Sequence, residues 1–289
     1  MKKVALVTYN RLLQLNSSDQ LLIEPFRKQG YQPIIVRWDD KNVCWEDFDL
    51  VILRSCWDYH YRISQFLEWL DKLESLKVNL WNPVRIIKWN IDKKYLFELE
   101  KKGVSIVPTF LINKKNVQNI KSLLEIKGWE EIIIKPSVGA SSYKIKRINT
   151  EKIYPDSPEI TNILIHSDVI IQPFMEEIIN KGEYSFIFID KKFSHAIHKF
   201  PKKGEFRSQF EYGSKEVLYE SKLQYIKETQ KILEIIDSSL LYARIDGLII
   251  DHQFYLMELE LIEPYLYFKF EQMSAQKFVE ATCSMIDKV

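Results

Sequence analysis

The chain has 289 residues, of which 46% are hydrophobic and 13% aromatic, so it can bury a sizeable core in two or three subdomains. Its 41 lysines and arginines against 40 acids lack the basic excess of a general nucleic-acid binder, and no apolar run approaches the length of a transmembrane helix. The 3 cysteines are odd in number and lack C-x-x-C spacing, which argues against a disulfide framework or a zinc site and favours a cytoplasmic protein.

The first third of the chain alternates strand and helix patterns. Strands are predicted at KVALVTY, YQPIIVRW and DLVILRS, and helices at DQLLIEPFRKQG and ISQFLEWLDKLESLK. This alternation predicts a small α/β layer that ends near residue 83, at the Asn-Pro turn signal in WNPVRIIKWN. Because no G-x-G-x-x-G follows the first strand, a Rossmann dinucleotide site is not predicted there.

The rest of the chain is predicted to pair strands around a few helices. Helices are expected at DKKYLFELEKKG, VQNIKSLLEIKG and SKLQYIKETQKILEIID. Strands are expected at VSIVPTFLI, EIIIKP, YKIKRI, VIIQPFM, LYARIDGLIID and FYLMELELI, with a hairpin in EYSFIFIDKKFSHAIHKF that turns at DKK.

Two carboxylates in the last predicted strand require an explanation. Residues two apart on a strand share a face, so Glu258 and Glu260 in MELE are neighbours. At an effective dielectric near 20 they would repel each other by about 2 to 2.5 kcal/mol. On a solvated outer face, water would screen that repulsion. The alternative is that the two acids bind a divalent cation, whose charge would offset the repulsion.

A second segment pairs a lysine with a loop of small residues. IIIKPSVGASS reads as a buried strand that ends in Lys135, followed by short side chains that let backbone N–H groups approach a polyphosphate. With Gly139 as its one glycine, the loop alone is explained equally well by an ordinary strand-to-turn junction.

In this order, the segments resemble the ATP-grasp ligases over the whole chain. The resemblance implies an α/β fold with α+β lobes: an N-terminal α/β substrate domain (1–84), a central lobe with the phosphate loop (85–172) and a C-terminal lobe with the metal site (173–289). It also implies ATP and Mg²⁺ as cofactors. In NIDKKYLFEL it implies a phosphate-side lysine at Lys93, with Lys94 as the alternative.

The resemblance also assigns the other nucleotide and metal residues. Besides Lys93, the residues expected to bind ATP are Lys135, Ser137, Gly139, Ser141 and Ser142 on the phosphate side and Glu183 toward the ribose. The segment QPFM resembles the adenine hinge of the family, which adds Gln172, Pro173, Phe174 and Met175. The residues expected to face the transferred phosphoryl group are Lys199, Arg207 and Arg244. The expected metal ligands are Asp246, Glu258 and Glu260. Many members of the family have asparagine where Glu260 stands, so this chain would offer the metal a third carboxylate.

Within the family, VILRSCWDYH and ELELIEPYLYFKF resemble the cycloserine synthetase group, which closes O-ureido-serine into a ring and belongs to antibiotic biosynthesis. The first segment follows a strand of the α/β layer, where such layers place ligand sites. The expected substrate residues are Arg54, Ser55, Trp57, Asp58 and Tyr59. Arg54 and Asp58 would together recognise an amino-acid zwitterion; the alternative is that they pair locally and Trp57 anchors the core.

Three functions compete at this point. The first is a ligase or cyclo-ligase that activates an amino-acid-like carboxylate as an acyl phosphate for attack by a nitrogen. The second is a ligase that modifies a peptide or protein, and the third is a non-catalytic nucleotide-binding module. The expected partner is a small molecule, with no nucleic acid and no membrane. The oligomeric state stays open, with a homo-oligomer as one alternative.

Overall fold

The computed structural model describes residues 1–286, and for Phe210 it describes the backbone alone. The first of its three sheets is parallel and lies at the amino terminus, with the strand order β2-β1-β3-β4. Its strands are β1 (Lys3–Thr8), β2 (Gln32–Arg37), β3 (Leu50–Leu53) and β4 (Leu80–Trp81). The surrounding helices are α1 (Ile23–Lys28), α2 (Ile63–Ser75) and α3 (Val84–Ile91). Strand β3 reads LVIL and is wholly buried, as expected of a parallel strand covered on both faces.

The second sheet is antiparallel and occupies the middle of the chain, with the order β5-β8-β6-β7. Its strands are β5 (Phe110–Ile112), β6 (Glu131–Pro136), β7 (Lys146–Asn149) and β8 (Val169–Pro173). The helices of this part are α4 (Tyr95–Lys101), α5 (Ile120–Lys127) and α6 (Pro158–Leu164). The small-residue loop runs from β6 to β7 and therefore begins directly after Lys135 and Pro136.

The third sheet is antiparallel and has five strands, in the order β11-β10-β9-β12-β13. Its strands are β9 (Glu183–Ile189), β10 (Lys192–Phe200), β11 (Lys215–Leu218), β12 (Tyr242–Ile250) and β13 (Gln253–Glu260). The helices here are α7 (Glu177–Asn180), α8 (Leu223–Glu234) and α9 (Ser274–Ile286). The strand register sets Asp246 opposite Glu258 and Arg244 opposite Glu260.

The register of β12 changes between Asp246 and Gly247. A Cβ atom at Gly247 would overlap the backbone carbonyl of Tyr255, so only glycine fits this close approach of β13. The glycine of ARIDG therefore has a packing role directly beside the acidic residues.

One apolar core joins the first and third sheets. Leu6 and Ile52 of the parallel sheet share a buried cluster with Ile187 and Tyr242 of the third sheet and Phe278 of α9. Through this cluster the first sheet is held against β9, β10 and β12 of the third sheet. Within residues 1–286, no helix combines the length and the apolar character needed to span a bilayer.

The patterns in the sequence predict most of these elements. The alternating first third, the strand pairs and the hairpin with its turn at Asp190 and Lys191 are confirmed. VSIVPTFLI forms a strand only over Phe110–Ile112. The patterns miss β4 and β11, which have 2 and 4 residues, and the helices α3, α6, α7 and α9. Helix α3 begins directly after Pro83. The Asn-Pro pair predicts only a turn, but proline is equally compatible with the start of a helix.

Candidate active site

A cavity of about 350 Å³ takes its lining from all three sheets and their loops. The predicted residues that line it are Trp57, Tyr59, Lys93, Lys135, Gly139, Ser141, Ser142, Lys199, Arg244, Glu258 and Glu260. Residues far apart in the sequence thus converge on one concave surface. A cavity with a few charged groups directed into it is the usual form of a small-molecule site.

Two of the lysines that line the cavity, Lys93 and Lys135, differ in their partners. The Lys93 ammonium donates to the Gly139 carbonyl at 2.5 Å and lies 3.1 Å from a Glu258 carboxylate oxygen. Lys135 is 5% exposed, and within residues 1–286 its ammonium has neither a hydrogen bond nor an ion pair. Burial lowers the pKa of Lys135 to about 8, with Glu258 opposing that shift and Lys93 adding to it. Of these two lysines, Lys135 therefore has the greater unmet demand for a negative ligand.

The alternative lysine of the same segment points elsewhere. Lys94 pairs with Asp168 at 2.7 Å and with Asp92 at 3.2 Å, and it does not line the cavity. A backbone bridge between Asp92 and Val138, together with the Lys93 N–H bond to the Ser137 carbonyl at 2.8 Å, fixes Lys93 beside the small-residue loop. This geometry favours Lys93 over Lys94 as the phosphate-side lysine.

The small-residue loop contributes backbone and hydroxyl groups to the cavity. Ser141 and Ser142 have φ angles of 50° and 56°, a left-handed backbone that turns the loop tightly. Ser137, also predicted to bind ATP, does not line the cavity, and its hydroxyl lies 3.1 Å from that of Ser167. Tyr143 anchors the far end of the loop by ring contact with His60, at 5.0 Å between centroids.

Strands β12 and β13 carry a cluster of alternating charges. Arg244 donates to Asp246 at 2.9 Å and to Glu260 at 2.5 Å. Asp246 also accepts from the Ser185 hydroxyl and lies 3.7 Å from the Lys199 ammonium. Burial opposes the charge on Asp246, but Arg244 and Lys199 outweigh it and hold the pKa of that carboxyl below its usual value. Asp246 is thus ionised, with protein partners on every side.

Glu258 and Glu260 are the acids best suited to a cation. Their side chains are 32% and 27% exposed, on the face that lines the cavity. Burial raises the pKa of Glu260 to about 8 against the effect of Arg244, whereas Lys93 and Lys135 outweigh burial and lower the pKa of Glu258. Over residues 1–286, no group of three His, Cys, Asp or Glu side chains is placed to hold a metal. Two carboxylates nevertheless suit Mg²⁺, which takes most of its other oxygens from phosphate and water.

Lys199 and Glu183, which the sequence assigns to different roles, form one ion pair. The Lys199 ammonium lies 2.5 Å from Glu183, and both residues are buried. Burial alone would lower the pKa of Lys199, but Asp246 and Glu183 raise it above the usual lysine value. Lys199 therefore remains protonated and lines the cavity, while Glu183 neutralises it from behind.

Several predicted residues lie outside the cavity. All four residues of the predicted adenine hinge lie outside it, namely Gln172, Pro173, Phe174 and Met175. Gln172 donates to the Thr109 hydroxyl at 2.8 Å, and the Arg147 guanidinium covers the Phe174 ring at 3.6 Å. Arg207 also lies outside, held by Glu205 at 2.6 Å and stacked on Tyr212 at 3.6 Å.

The predicted substrate segment divides into two groups. Trp57 and Tyr59 line the cavity, but Arg54, Ser55 and Asp58 do not. Arg54 is fully buried and pairs with Asp19 at 3.0 Å. Asp58 accepts from the Trp38 indole at 2.8 Å and pairs with Arg62. The structure therefore does not support Arg54 and Asp58 as a joint zwitterion site, because each has a separate partner in the protein.

Some lining residues have no role in the sequence-based prediction. Polar residues of this kind include Asn16, Asn90, Glu263, Tyr265 and Tyr267. Glu263 falls within ELELIEPYLYFKF, but it lies after the end of β13. The two-residue repeat of a strand, which identifies Glu258 and Glu260, therefore could not predict that Glu263 faces the cavity.

Comparison with known families finds two matches. Residues 4–82 match the family described as D-cycloserine synthetase DcsG, N-terminal domain. Residues 96–272 match the family described as prokaryotic glutathione synthetase, ATP-grasp domain. The second match covers more than half of the chain and contains every predicted nucleotide and metal residue except Lys93.

Individual proteins give the same result. The cycloserine biosynthesis protein DcsG of Streptomyces lavendulae is 30% identical over 200 residues, which are 68% of this chain and 67% of that protein. The crystal structure of D-cycloserine synthetase DcsG matches with a TM-score of 0.90 and 25% identity, over 98% of this chain and 99% of that one.

More distant structures share the fold. D-alanine–D-alanine ligase from Bacillus anthracis matches with a TM-score of 0.70 and 17% identity, over 100% of this chain and 98% of that one. A RiPP-associated ATP-grasp ligase of Chryseobacterium gregarium, solved with ADP and a leader and core peptide, matches with a TM-score of 0.71 and 14% identity, over 99% of this chain and 97% of that one.

Proposed function

Because this chain belongs to the ATP-grasp ligase family, and is therefore an ATP-dependent carboxylate–amine ligase, we propose that it closes a ring on an amino-acid-like substrate as cycloserine synthetases do. Membership of an enzyme family excludes the non-catalytic module. The observation that carries the proposal is the single cavity in which Lys135 and Glu258 lie together with Trp57 and Tyr59 of the N-terminal segment.

The proposed reaction has two steps. A substrate carboxylate oxygen attacks the terminal phosphorus of ATP, ADP leaves, and an acyl phosphate forms. The lone pair of a nitrogen then attacks the carbonyl carbon, phosphate leaves, and the nitrogen loses a proton to solvent. Such phosphoryl transfer depends chiefly on positioning and on neutralising charge.

Each charged residue has a proposed task in that reaction. Lys93 and Lys135 attract the phosphates from the loop side, while Lys199 and Arg244 face the transferred phosphoryl group from β10 and β12. Glu258 and Glu260 would hold Mg²⁺, which would supply positive charge against the phosphates.

Three predicted assignments have weaker support from the contacts. Asp246 would orient Arg244 and Lys199 more readily than bind the metal, because its oxygens already accept from protein donors. Arg207 would need to leave Glu205 before it could reach the phosphoryl group. The adenine hinge at Gln172 stays a proposal that rests on the family resemblance, as do the three domain boundaries.

The size of the cavity favours a small substrate over a peptide. About 350 Å³ has to accommodate both the reacting end of ATP and the acceptor, and the loop at Tyr143 contacts the N-terminal domain across it. A peptide would need a groove that extends beyond these walls.

The test is ADP release with Mg-ATP and, in separate reactions, O-ureido-D-serine, its L-enantiomer, the individual amino acids and a peptide pool. Mass spectrometry of the product separates the alternatives. Ring closure on O-ureido-serine gives a product one water lighter than its single substrate, and hydrolysis of the carbamoyl group on the ring nitrogen then releases carbon dioxide and ammonia and leaves the bare ring. Intermolecular ligation instead gives the sum of two substrates less one water. ADP release only with the peptide pool would contradict the proposal in favour of a peptide ligase.

A further inference from the structure

Glu263 is a buried carboxylate with no assigned role. The residue is 6% exposed and lines the cavity from the segment after β13. Over the described residues 1–286, no donor forms a hydrogen bond or an ion pair with its side chain. Because burying an ionised carboxylate without a partner is costly, the arrangement points to a partner that enters through the cavity.

The nearby protein cations are already engaged. Arg54 uses its guanidinium on Asp19, at 3.0 Å, and on the carbonyls of Leu53 and Pro264. The Arg244 guanidinium donates to Asp246, to Glu260 and to the Tyr265 carbonyl. Both cations lower the pKa of Glu263 through space without donating to it.

The main chain around Glu263 is held in place by the predicted substrate segment. The Trp57 indole N–H donates to the Glu263 carbonyl at 3.2 Å, and the Arg54 guanidinium donates to the next carbonyl, that of Pro264, at 2.8 Å. Trp57 and Arg54 are therefore positioning residues for Glu263. These two contacts connect RSCWDY with ELELIEPY, although Arg54 itself does not line the cavity.

We propose that Glu263 binds the protonated α-amino group of the amino-acid-like substrate. This inference rests on the proposed function and names the group that selects an amino acid within that site. A metal is the other cation that a carboxylate could take, but the two carboxylates proposed to hold Mg²⁺, Glu258 and Glu260, share one face of β13, whereas Glu263 follows the end of that strand. A single carboxylate in an aromatic-walled cavity suits an organic ammonium.

The assignment has a chemical consequence for ring closure. The side-chain nitrogen closes a five-membered ring when it attacks the acyl phosphate, whereas attack by the α-amino nitrogen of the same molecule would close a strained three-membered ring. Holding the α-ammonium on Glu263 would fix the substrate at one end and leave the side-chain nitrogen free to reach the carbonyl carbon. Glu263 would therefore orient the substrate for the productive ring closure.

Burial gives the pairing a further basis. It raises the pKa of Glu263 to about 7, so the charged form is disfavoured until a cation arrives. A bound ammonium offsets that cost and favours the carboxylate.

The first experiment needs no variant. Calorimetric titration compares O-ureido-D-serine with the analogue in which hydrogen replaces the α-amino group, both in the presence of Mg-ADP. We expect the analogue to bind the wild-type protein about 10- to 100-fold more weakly, the scale for a lost charge-assisted hydrogen bond. Equal binding of the two compounds would overturn the assignment.

The second experiment uses Glu263→Gln, which keeps the size of the side chain and removes its charge. We expect the variant to bind both compounds equally, with KM for the amino acid raised about 10- to 100-fold and KM for ATP changed less than about twofold. Glu220→Gln removes an exposed carboxylate outside the cavity and should leave both KM values unchanged. A Glu263→Gln variant that still discriminates between the compounds would refute the role.

The two proposals can fail separately. If wild-type protein binds O-ureido-D-serine better than its analogue but forms no ring product, ring closure is wrong and the role of Glu263 stands. If the ring forms and the α-amino group makes no difference to binding, the role of Glu263 is wrong and ring closure stands.

Discussion

Two charged regions adjoin the cavity, and they differ in how their charges are neutralised. In the phosphate-side region, defined by Lys93, Lys135 and Glu258, the side chains face the cavity and Lys135 has no partner within residues 1–286. In the N-terminal region, defined by Arg54 and Asp58, each charge is paired inside the protein. A charged group with unmet demand can bind a ligand, whereas a group that is already paired mainly shapes the structure around it.

The largest expected effect comes from removing charge in the phosphate-side region. We expect Lys135→Ala and Glu258→Gln each to lower the rate of ADP formation about a thousandfold or more, because each removes electrostatic stabilisation of the transferred phosphoryl group. Steady-state kinetics with a coupled ADP assay measures the change, and a melting curve checks that the fold is intact.

Lys94→Ala is the matched control for these variants. Its ammonium pairs with Asp168 and Asp92 outside the cavity, so turnover should be unchanged. Normal turnover by Lys135→Ala, or a large loss in Lys94→Ala, would break the distinction between ligand-facing and internally paired charges.

The next effect concerns stability in the N-terminal region. Arg54→Leu leaves Asp19 buried without its cation, which should lower the free energy of unfolding by about 3 to 5 kcal/mol. Arg27→Leu breaks an exposed pair with Glu24 and should cost less than about 1 kcal/mol. Urea unfolding of both variants measures the difference, and equal losses would show that burial does not distinguish the two pairs.

A pH titration addresses Lys135 directly. Burial lowers its pKa to about 8, so the unliganded protein loses this positive charge as the pH rises through 8, and phosphate binding must then take the proton up again. We expect the affinity for Mg-ATP to fall about 10- to 30-fold between pH 7 and pH 9.5. Lys135→Arg stays charged over that range and should flatten the profile. An unchanged slope in this variant would assign the effect to another group.

The smallest expected effect is that of Asp58→Asn. Because Asp58 pairs with Arg62 and the Trp38 indole, its loss should lower stability by about 1 kcal/mol and leave the affinity for the amino acid unchanged. Calorimetric titration beside a melting curve measures both. A selective loss of amino-acid affinity would restore the original expectation that Asp58 recognises the substrate.

The sequence by itself determined the fold class and identified several residues that line the cavity. The period of two in MELE identifies two acids on one strand face, and the strand-to-loop change after IIIKP identifies Lys135, because both signals are local. The family resemblance adds the order of the motifs. Short elements such as β4 and β11 lack enough residues to show a period, so pattern reading could not find them.

Only the tertiary structure decided which charges pair with one another. Asp19 and Arg54 are 35 residues apart, and Trp57 reaches a carbonyl 206 residues away, so no local pattern records either contact. Those contacts separate Arg54 from the cavity and bring Glu263 to it. The physical reason is that a side chain's local sequence fixes its strand face, whereas its partners depend on how the three sheets pack.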